Sequence, residues 1–302
     1  MARRFFGRTQ YMEKIGIVTD EVADLPKDIV GKYQIAIVPV KLDWPDIENL
    51  PGENTFQKMR ELEKRGIKSF GKTSQPSPKD FLDKYKYQLG RFDEIICITI
   101  TSKLSGTYNS AIQAKNFLSP EEQKRVFVID SLNASCGQAL IVLRAIDLIK
   151  DGKEAQEIAK ELERLVPQIR LFVILKDPKW LEASGRISHL VANLLRRMAR
   201  ADIRPFLTFK NGRLVPAGIK AGAKDTPTAL FRKFETEMKK LKEDRRIRAT
   251  ITHGDDLEGA QRLKEMIEKE FKNTEVAFIN ILDNVVGGPT GPDTLAIAWF
   301  EI

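Results

Sequence analysis

The sequence is poor in the residues on which much metal, redox and acid–base chemistry depends. It has two cysteines, Cys97 and Cys136, far apart in the chain, which cannot frame a disulfide scaffold or a zinc site. A reducing cytoplasm is the expected location. Two histidines, His189 and His253, leave little room for a histidine-rich metal centre, and no cofactor or metal is expected. Long apolar runs are also missing. The longest are strand-sized, as in Ile95-Ile96-Cys97-Ile98, so no membrane span is expected.

What remains is an ordinary globular composition, 42% hydrophobic and 30% charged, in 302 residues. At roughly 150 residues per domain this length suggests two domains. Fifty basic against 42 acidic side chains give a net charge of +8. Three of those charges, Arg3, Arg4 and Arg8, fall in a stretch without helical period that precedes Met12. Residues 1–12 are therefore expected to be a disordered extension.

From Lys14 to about Pro167, apolar runs alternate with amphipathic ones. Strands are expected at Ile15–Thr19, Ile35–Val40, Ile95–Thr101 and Val126–Asp130, with a weaker one at Lys68–Lys72. Helices are expected at Pro26–Lys32, Thr55–Arg65, Pro78–Leu89, Gly106–Leu118, Ser135–Lys150 and Glu154–Leu165. This is the α/β rhythm of a mainly parallel sheet flanked by helices, here spanning residues 13–166. The near-continuous hydrophobicity of the strands suits a sheet covered on both faces. Beyond Pro167 the rhythm changes. Strands at Ile169–Leu175, Ile203–Phe209, Arg213–Ile219, Arg248–Thr252, Glu275–Ile281 and Leu295–Ile302 accompany helices at Ile187–Arg197, Pro227–Glu243 and Leu257–Glu270. Lys210-Asn211-Gly212 marks a hairpin, because Asn-Gly supplies the left-handed backbone of a tight turn. Residues 167–302 thus read as an α+β domain with a mixed or antiparallel sheet.

Gly66-Ile67-Lys68-Ser69-Phe70-Gly71-Lys72-Thr73 matches the phosphate-loop pattern letter for letter. That pattern needs a buried strand before it and a helix after it. Here a charged helix precedes it, and Pro76 and Pro78 follow. The match reads as coincidence. Two polar loops carry more chemistry: Gly71 to Pro78, and Thr101-Ser102-Lys103-Leu104-Ser105-Gly106-Thr107-Tyr108, which joins a buried strand to a helix. Ligands of parallel sheets bind outside the carboxyl ends of the strands, and a helix start offers free N–H groups to an anion. Serine and threonine are equally suited to a plain N-cap there, and local sequence alone favours that reading. Ser105 as a hydrolase nucleophile is a weaker alternative, since it lacks the GxSxG elbow and neither histidine stands in a triad context.

Several motifs resemble those of the DegV family of bacterial fatty-acid-binding proteins. They are Thr19-Asp20 with Ala23-Asp24-Leu25-Pro26, Thr73–Ser77, Leu104–Ala111 and Val128-Ile129-Asp130-Ser131. Further along come Gly185-Arg186-Ile187-Ser188, Arg204-Pro205 through Asn211-Gly212 to Lys220, His253-Gly254-Asp255 and Gly291-Pro292. The matches run in order over about Lys14 to Ile302. The resemblance implies a parallel α/β domain joined to an α+β domain, with a long-chain fatty acid in a buried tunnel. Its carboxylate would lie between the domains on Thr73 and Ser105, helped by the backbone at Gly106. Arg186 would also belong to the head-group region. Some members present the acid to a fatty acid kinase.

The chain departs from the family pattern where that kinase acts. Pro289, followed by Thr290, stands where the family has a histidine, and proline cannot replace its proton or hydrogen bond. Asp293 replaces a glycine, which would bring negative charge near the head group. Gly222 stands where a family arginine is expected, so the kinase partner is in doubt. The competing reading is a nucleic-acid- or partner-binding basic module. Arg196, Arg197, Arg200 and Arg204 form one basic cluster, and the stretch from Lys239 to Arg248 forms another. Neither holds the stacking aromatics that single-strand binders use, so solvated helix ends explain them better and no nucleic acid is expected.

Overall fold

The apolar runs of the first half pair side by side as a parallel sheet, the arrangement their two-sided hydrophobicity requires. A computed structural model describes residues 14–200, 203–221, 225–241 and 245–302. Its strands are β1 (Ile15–Asp20), β2 (Ala36–Val38), β3 (Lys41–Asp43), β4 (Lys72–Ser74), β5 (Glu94–Thr99) and β6 (Val126–Asp130). They continue with β7 (Arg170–Ile174), β8 (Ile203–Lys210), β9 (Arg213–Ala221), β10 (Ile247–His253), β11 (Thr274–Ile281) and β12 (Leu295–Glu301). The first sheet has the order β2-β1-β5-β6 and is parallel throughout, with Val18 opposite both Ala36 and Cys97. The second has the order β11-β10-β12-β7-β8-β9 and is antiparallel except for the β10–β11 pair. The α/β and α+β halves expected from the pattern are both present.

The helix Cys136–Lys150 is apolar on nearly every side and lies between the sheets, which is where such a helix must go. Hydrogen bonds tie its first turn to both. Thr250 Oγ1 donates to the Cys136 carbonyl at 2.9 Å, and Gln138 Nε2 donates to Thr19 Oγ1 at 3.0 Å. One apolar cluster therefore runs from Ile17, Ile98 and Ile129 through this helix to Leu171, Ala298 and Phe300. The hairpin between β8 and β9 turns at Asn211 and Gly212, both with positive φ, as the Asn-Gly pair predicts.

Several short elements were not expected, and two differences bear on the site. The weak strand anticipated at Lys68–Lys72 lies instead at Lys72–Ser74, paired antiparallel to β3 in a small separate ribbon. Packing decides this: Gly71 sits against the Trp44 ring, and Trp44 Nε1 donates to Ser69 Oγ at 3.0 Å, which holds the preceding residues out of the ribbon. A helix at Asn284–Thr290 was not expected, because Gly287, Gly288 and Pro289 argue against one by propensity. Its glycines let it approach closely, and any Cβ at Gly287 would collide with the Phe56 ring. The expected extension over 1–12, Gly222 and the middle of the second basic cluster lie outside the described residues.

Candidate functional site

The parallel strands end at a hollow between the two sheets. Val22 and Ile100, just beyond β1 and β5, form one side, and Leu171, Val173 and Ala296 of the second sheet form another. Phe209 and Leu214 of the hairpin and Val285 and Val286 of the helix Asn284–Thr290 close it. The enclosed space measures about 130 Å³ and opens outward at its mouth. Its walls are mainly aliphatic, with a handful of hydroxyls, one amide and one guanidinium.

That guanidinium belongs to Arg186. Gly185, with φ +74°, turns the chain after the short helix Lys179–Ala183, and Arg186 then points inward. Its Nη2 donates to Thr73 Oγ1 at 2.6 Å and its Nη1 to the Ser184 carbonyl at 2.8 Å. Among the described residues no carboxylate pairs with it. Burial pulls its pKa down from the usual arginine value, the mark of a cation that lacks an anion. Thr73 is held by its ribbon partner Leu42. Leu42 in turn reaches Gly288, next to Pro289, so the β3–β4 ribbon and the wall helix meet at this point.

Ser105 lies across the loop after β5. Its Oγ shares a 2.8 Å hydrogen bond with Thr107 Oγ1 and accepts from the Thr107 N–H at 3.3 Å. Neither partner can act as a base, and both histidines are committed elsewhere. His253 Nδ1 accepts from the Asp256 N–H at 3.1 Å, and His189 bonds to Glu182. The arrangement offers hydroxyl donors and no nucleophile–base pair. Gly106 N-caps the helix Thr107–Asn116 but is not itself in the cavity wall. A Cβ there would overlap the Gln75 side chain, which does line the cavity and donates from Nε2 to Ser110 Oγ at 3.2 Å.

Thr73, Ser105, Arg186, Pro289 and Thr290 all line the one cavity. Thr290 Oγ1 donates to the Val286 carbonyl at 2.8 Å, so its proton is committed within its helix. Asp293 departs from expectation. It is absent from the cavity wall, and its carboxylate accepts from Arg60 Nη2 at 2.7 Å in a network shared with Asp255. Thr107, in the Ser105 loop, also lines the cavity, while sequence reasoning missed Ser135 and Thr294 as lining residues. No spacing signal could have found them, since the wall draws single residues from many elements.

The rival readings find little support. The phosphate-loop match follows the helix Thr55–Lys64 and runs into β4, so no helix receives its phosphates. In the basic clusters, Arg196 is engaged by Glu182, Lys239 by Glu235, Lys240 by Glu237, and Arg248 by Asp147 and Glu275. No helix among the described residues is long and apolar enough to cross a membrane.

The cavity between a parallel and a mixed sheet, walled by these motifs, invites comparison with known proteins. A family profile described as "Uncharacterised protein, DegV family" matches residues 14–301. The chain belongs to the DegV family. A DegV relative from Thermotoga maritima, named a fatty acid-binding protein, is 30% identical over 291 residues, covering 93% of this chain and 96% of the relative. The structure of a DegV protein from Thermus thermophilus, described by its fatty acid binding, is 31% identical with a TM-score of 0.81, covering 96% of this chain and 100% of that one. A further Thermotoga maritima structure, described as revealing fatty acid binding function, is 27% identical with a TM-score of 0.74, covering 96% and 99%. The two-sheet architecture is thus shared with solved DegV structures.

Proposed function

We propose that this DegV protein binds a long-chain fatty acid, with the carboxylate on Thr73, Ser105 and Arg186 and the acyl chain in the cavity. The observation that carries the reading is Arg186, a half-buried guanidinium without a carboxylate partner among the described residues, set in the wall of an otherwise aliphatic hollow. A fatty acid supplies what each part lacks: an anion for the arginine and methylenes for the hollow. Burying about 14 methylenes at ~0.8 kcal/mol each contributes roughly 11 kcal/mol before ordering costs. Hydrogen bonds to the charged head add roughly 1.5–3 kcal/mol each, offset by desolvation. The tail supplies affinity and the polar residues supply orientation.

The protein acts in this reading as a cytoplasmic carrier rather than a catalyst, with domains 13–166 and 167–302 closing over the ligand. The backbone at Gly106 acts indirectly, by seating Gln75. Pro289 brings no proton donor to the wall, and the Thr290 hydroxyl is spent within its helix, so neither can serve phosphotransfer to a bound carboxylate. A fatty acid kinase partner, if offered this carrier, is expected to work slowly on it. Mass spectrometry of lipid extracted from natively purified protein tests the main reading: a stoichiometric fatty acid supports it, and an empty protein or a ligand of another class refutes it.

A further inference from the structure

A second hollow shares Leu282 with the ligand cavity and is lined by four carboxyls, Asp20, Glu21, Asp24 and Asp283. They come from two places: the turn after β1, and the link between β11 and the helix Asn284–Thr290. Asp24 is 3% exposed and held at φ +48°. Its Oδ1 accepts from the Asp283 N–H at 2.7 Å, while its Oδ2 is buried without a hydrogen-bond partner among the described residues. Glu21 Oε2 accepts from the Val40 N–H at 3.0 Å, and Asp283 Oδ1 accepts from the Val285 N–H at 3.1 Å. The Glu21 and Asp283 carboxyls face the same hollow, and the nearby Asp283 carboxyl helps to raise the proton affinity of Glu21.

Neighbouring elements do little to neutralise this group. Lys27 is the one cation lining the hollow among the described residues. Lys58, in the groove beside Asn284, donates to the Glu48 carbonyl, and Lys179 is paired with Glu63 and Asp177. Lys41 and Asp43 of β3 sit at exposed positions. At the start of the central helix, the Ser135 hydroxyl is shared with Thr252 Oγ1 at 3.1 Å, and the Cys136 thiol is pushed up to about 12 by burial and hence neutral. No three acidic, thiol or imidazole groups among the described residues are arranged to hold a metal ion. Protons are left to compensate the charge. Burial pushes Glu21, Asp24 and Asp283 upward, and Asp20 up to about 6.

We propose that Glu21, Asp24 and Asp283 form a proton-operated latch on the wall of the ligand cavity. With a proton on Glu21, its carboxyl donates to Asp283, and the turn carrying Val22 is clasped to the helix carrying Val285, Val286, Pro289 and Thr290. Loss of that proton sets two like charges side by side in a poorly solvated place, and the helix loosens. Because the carboxyls are raised, closure is complete at low pH and is lost as pH climbs through their folded values. The latch rests on the fatty-acid reading only for what leaves when the wall opens.

Hydrogen exchange read by mass spectrometry, normalised for intrinsic rates, tests it on the full chain. Between pH 4, in the ordinary carboxylate range, and pH 8, protection of the segment 282–290 should fall at least tenfold in wild type, while β5 stays protected. Glu21→Gln keeps an acceptor for Val40 and a permanent donor to Asp283, and should hold the change below twofold. Release of a pyrene-labelled hexadecanoic acid to acceptor vesicles should accelerate with pH in wild type only. Unchanging wild-type protection over this range, or an equal fall in Glu21→Gln, overturns the latch, and the wild-type profile decides it even if the variant does not fold. Normal exchange behaviour in a protein that binds no labelled acid leaves the latch standing and removes the fatty-acid reading.

Discussion

Replacing Arg186 by methionine should move stability and ligand affinity in opposite directions. In the ligand-free protein the guanidinium is half-buried and makes two hydrogen bonds, to the Thr73 hydroxyl and the Ser184 carbonyl, with no carboxylate among the described residues to offset its desolvation. Methionine matches its stem and removes the stranded charge, and the Thr73 hydroxyl can turn to another partner. The ligand-free variant should therefore melt at the same temperature as wild type or higher, as expected where a site holds unfavourable groups for function. The bound carboxylate loses a charge-assisted hydrogen bond worth roughly 1.5–3 kcal/mol, so affinity for hexadecanoate should fall roughly ten- to hundredfold. The fatty acid methyl ester is the control, because it fills the cavity equally and carries no charge. Calorimetry on delipidated protein should show the arginine-dependent difference for the acid alone. An equal loss for acid and ester would mean that Arg186 is packing, and a large drop in melting temperature would mean that it is structural; either result refutes the argument.

Other consequences are simpler to read. Ser105→Ala removes a hydroxyl whose partners are within its own loop, so the protein should stay folded while hexadecanoate binds about tenfold more weakly in calorimetry. Gly106→Ala places a methyl group on the Gln75 amide and should cost about 1–3 kcal/mol in urea unfolding. Most of that loss should return in Gly106→Ala/Gln75→Ala; a double variant no more stable than the single would show that the glycine serves another purpose. Burial lifts Asp20 from 3.8 to about 6, so its contribution to stability is present below pH 4 and is lost as pH rises through about 6. The stability difference between wild type and Asp20→Asn should therefore shift by about 2 kcal/mol between pH 4 and pH 7, and a difference independent of pH would contradict a buried, titrating Asp20.

The parts of this fold that could be read from the sequence are those specified locally. The runs Ile15–Asp20 and Glu94–Thr99 are apolar enough to be buried on both faces, and Asn211-Gly212 admits few backbone conformations besides a tight turn. Thr73, Ser105 and Arg186 could be singled out through the motifs they share with the family, since loop position and hydroxyl chemistry alone suit a plain N-cap equally well. The wall helix Asn284–Thr290 could not be read, since its own residues disfavour helix and only contact with Phe56 and the ribbon makes it worth forming. The same holds for electrostatics. Asp293 reads as a charge near the head group until Arg60, more than two hundred residues earlier, is seen to hold it. Arg186, conversely, reads as one arginine among many until the fold places it where no carboxylate among the described residues pairs with it. Whether a charge is available to a ligand depends on which charges the fold brings within hydrogen-bonding distance, and that is a property of long-range contacts. The residues on which both proposals rest, Arg186 and the carboxyls of Glu21, Asp24 and Asp283, are therefore those whose meaning lies least in their neighbours along the chain.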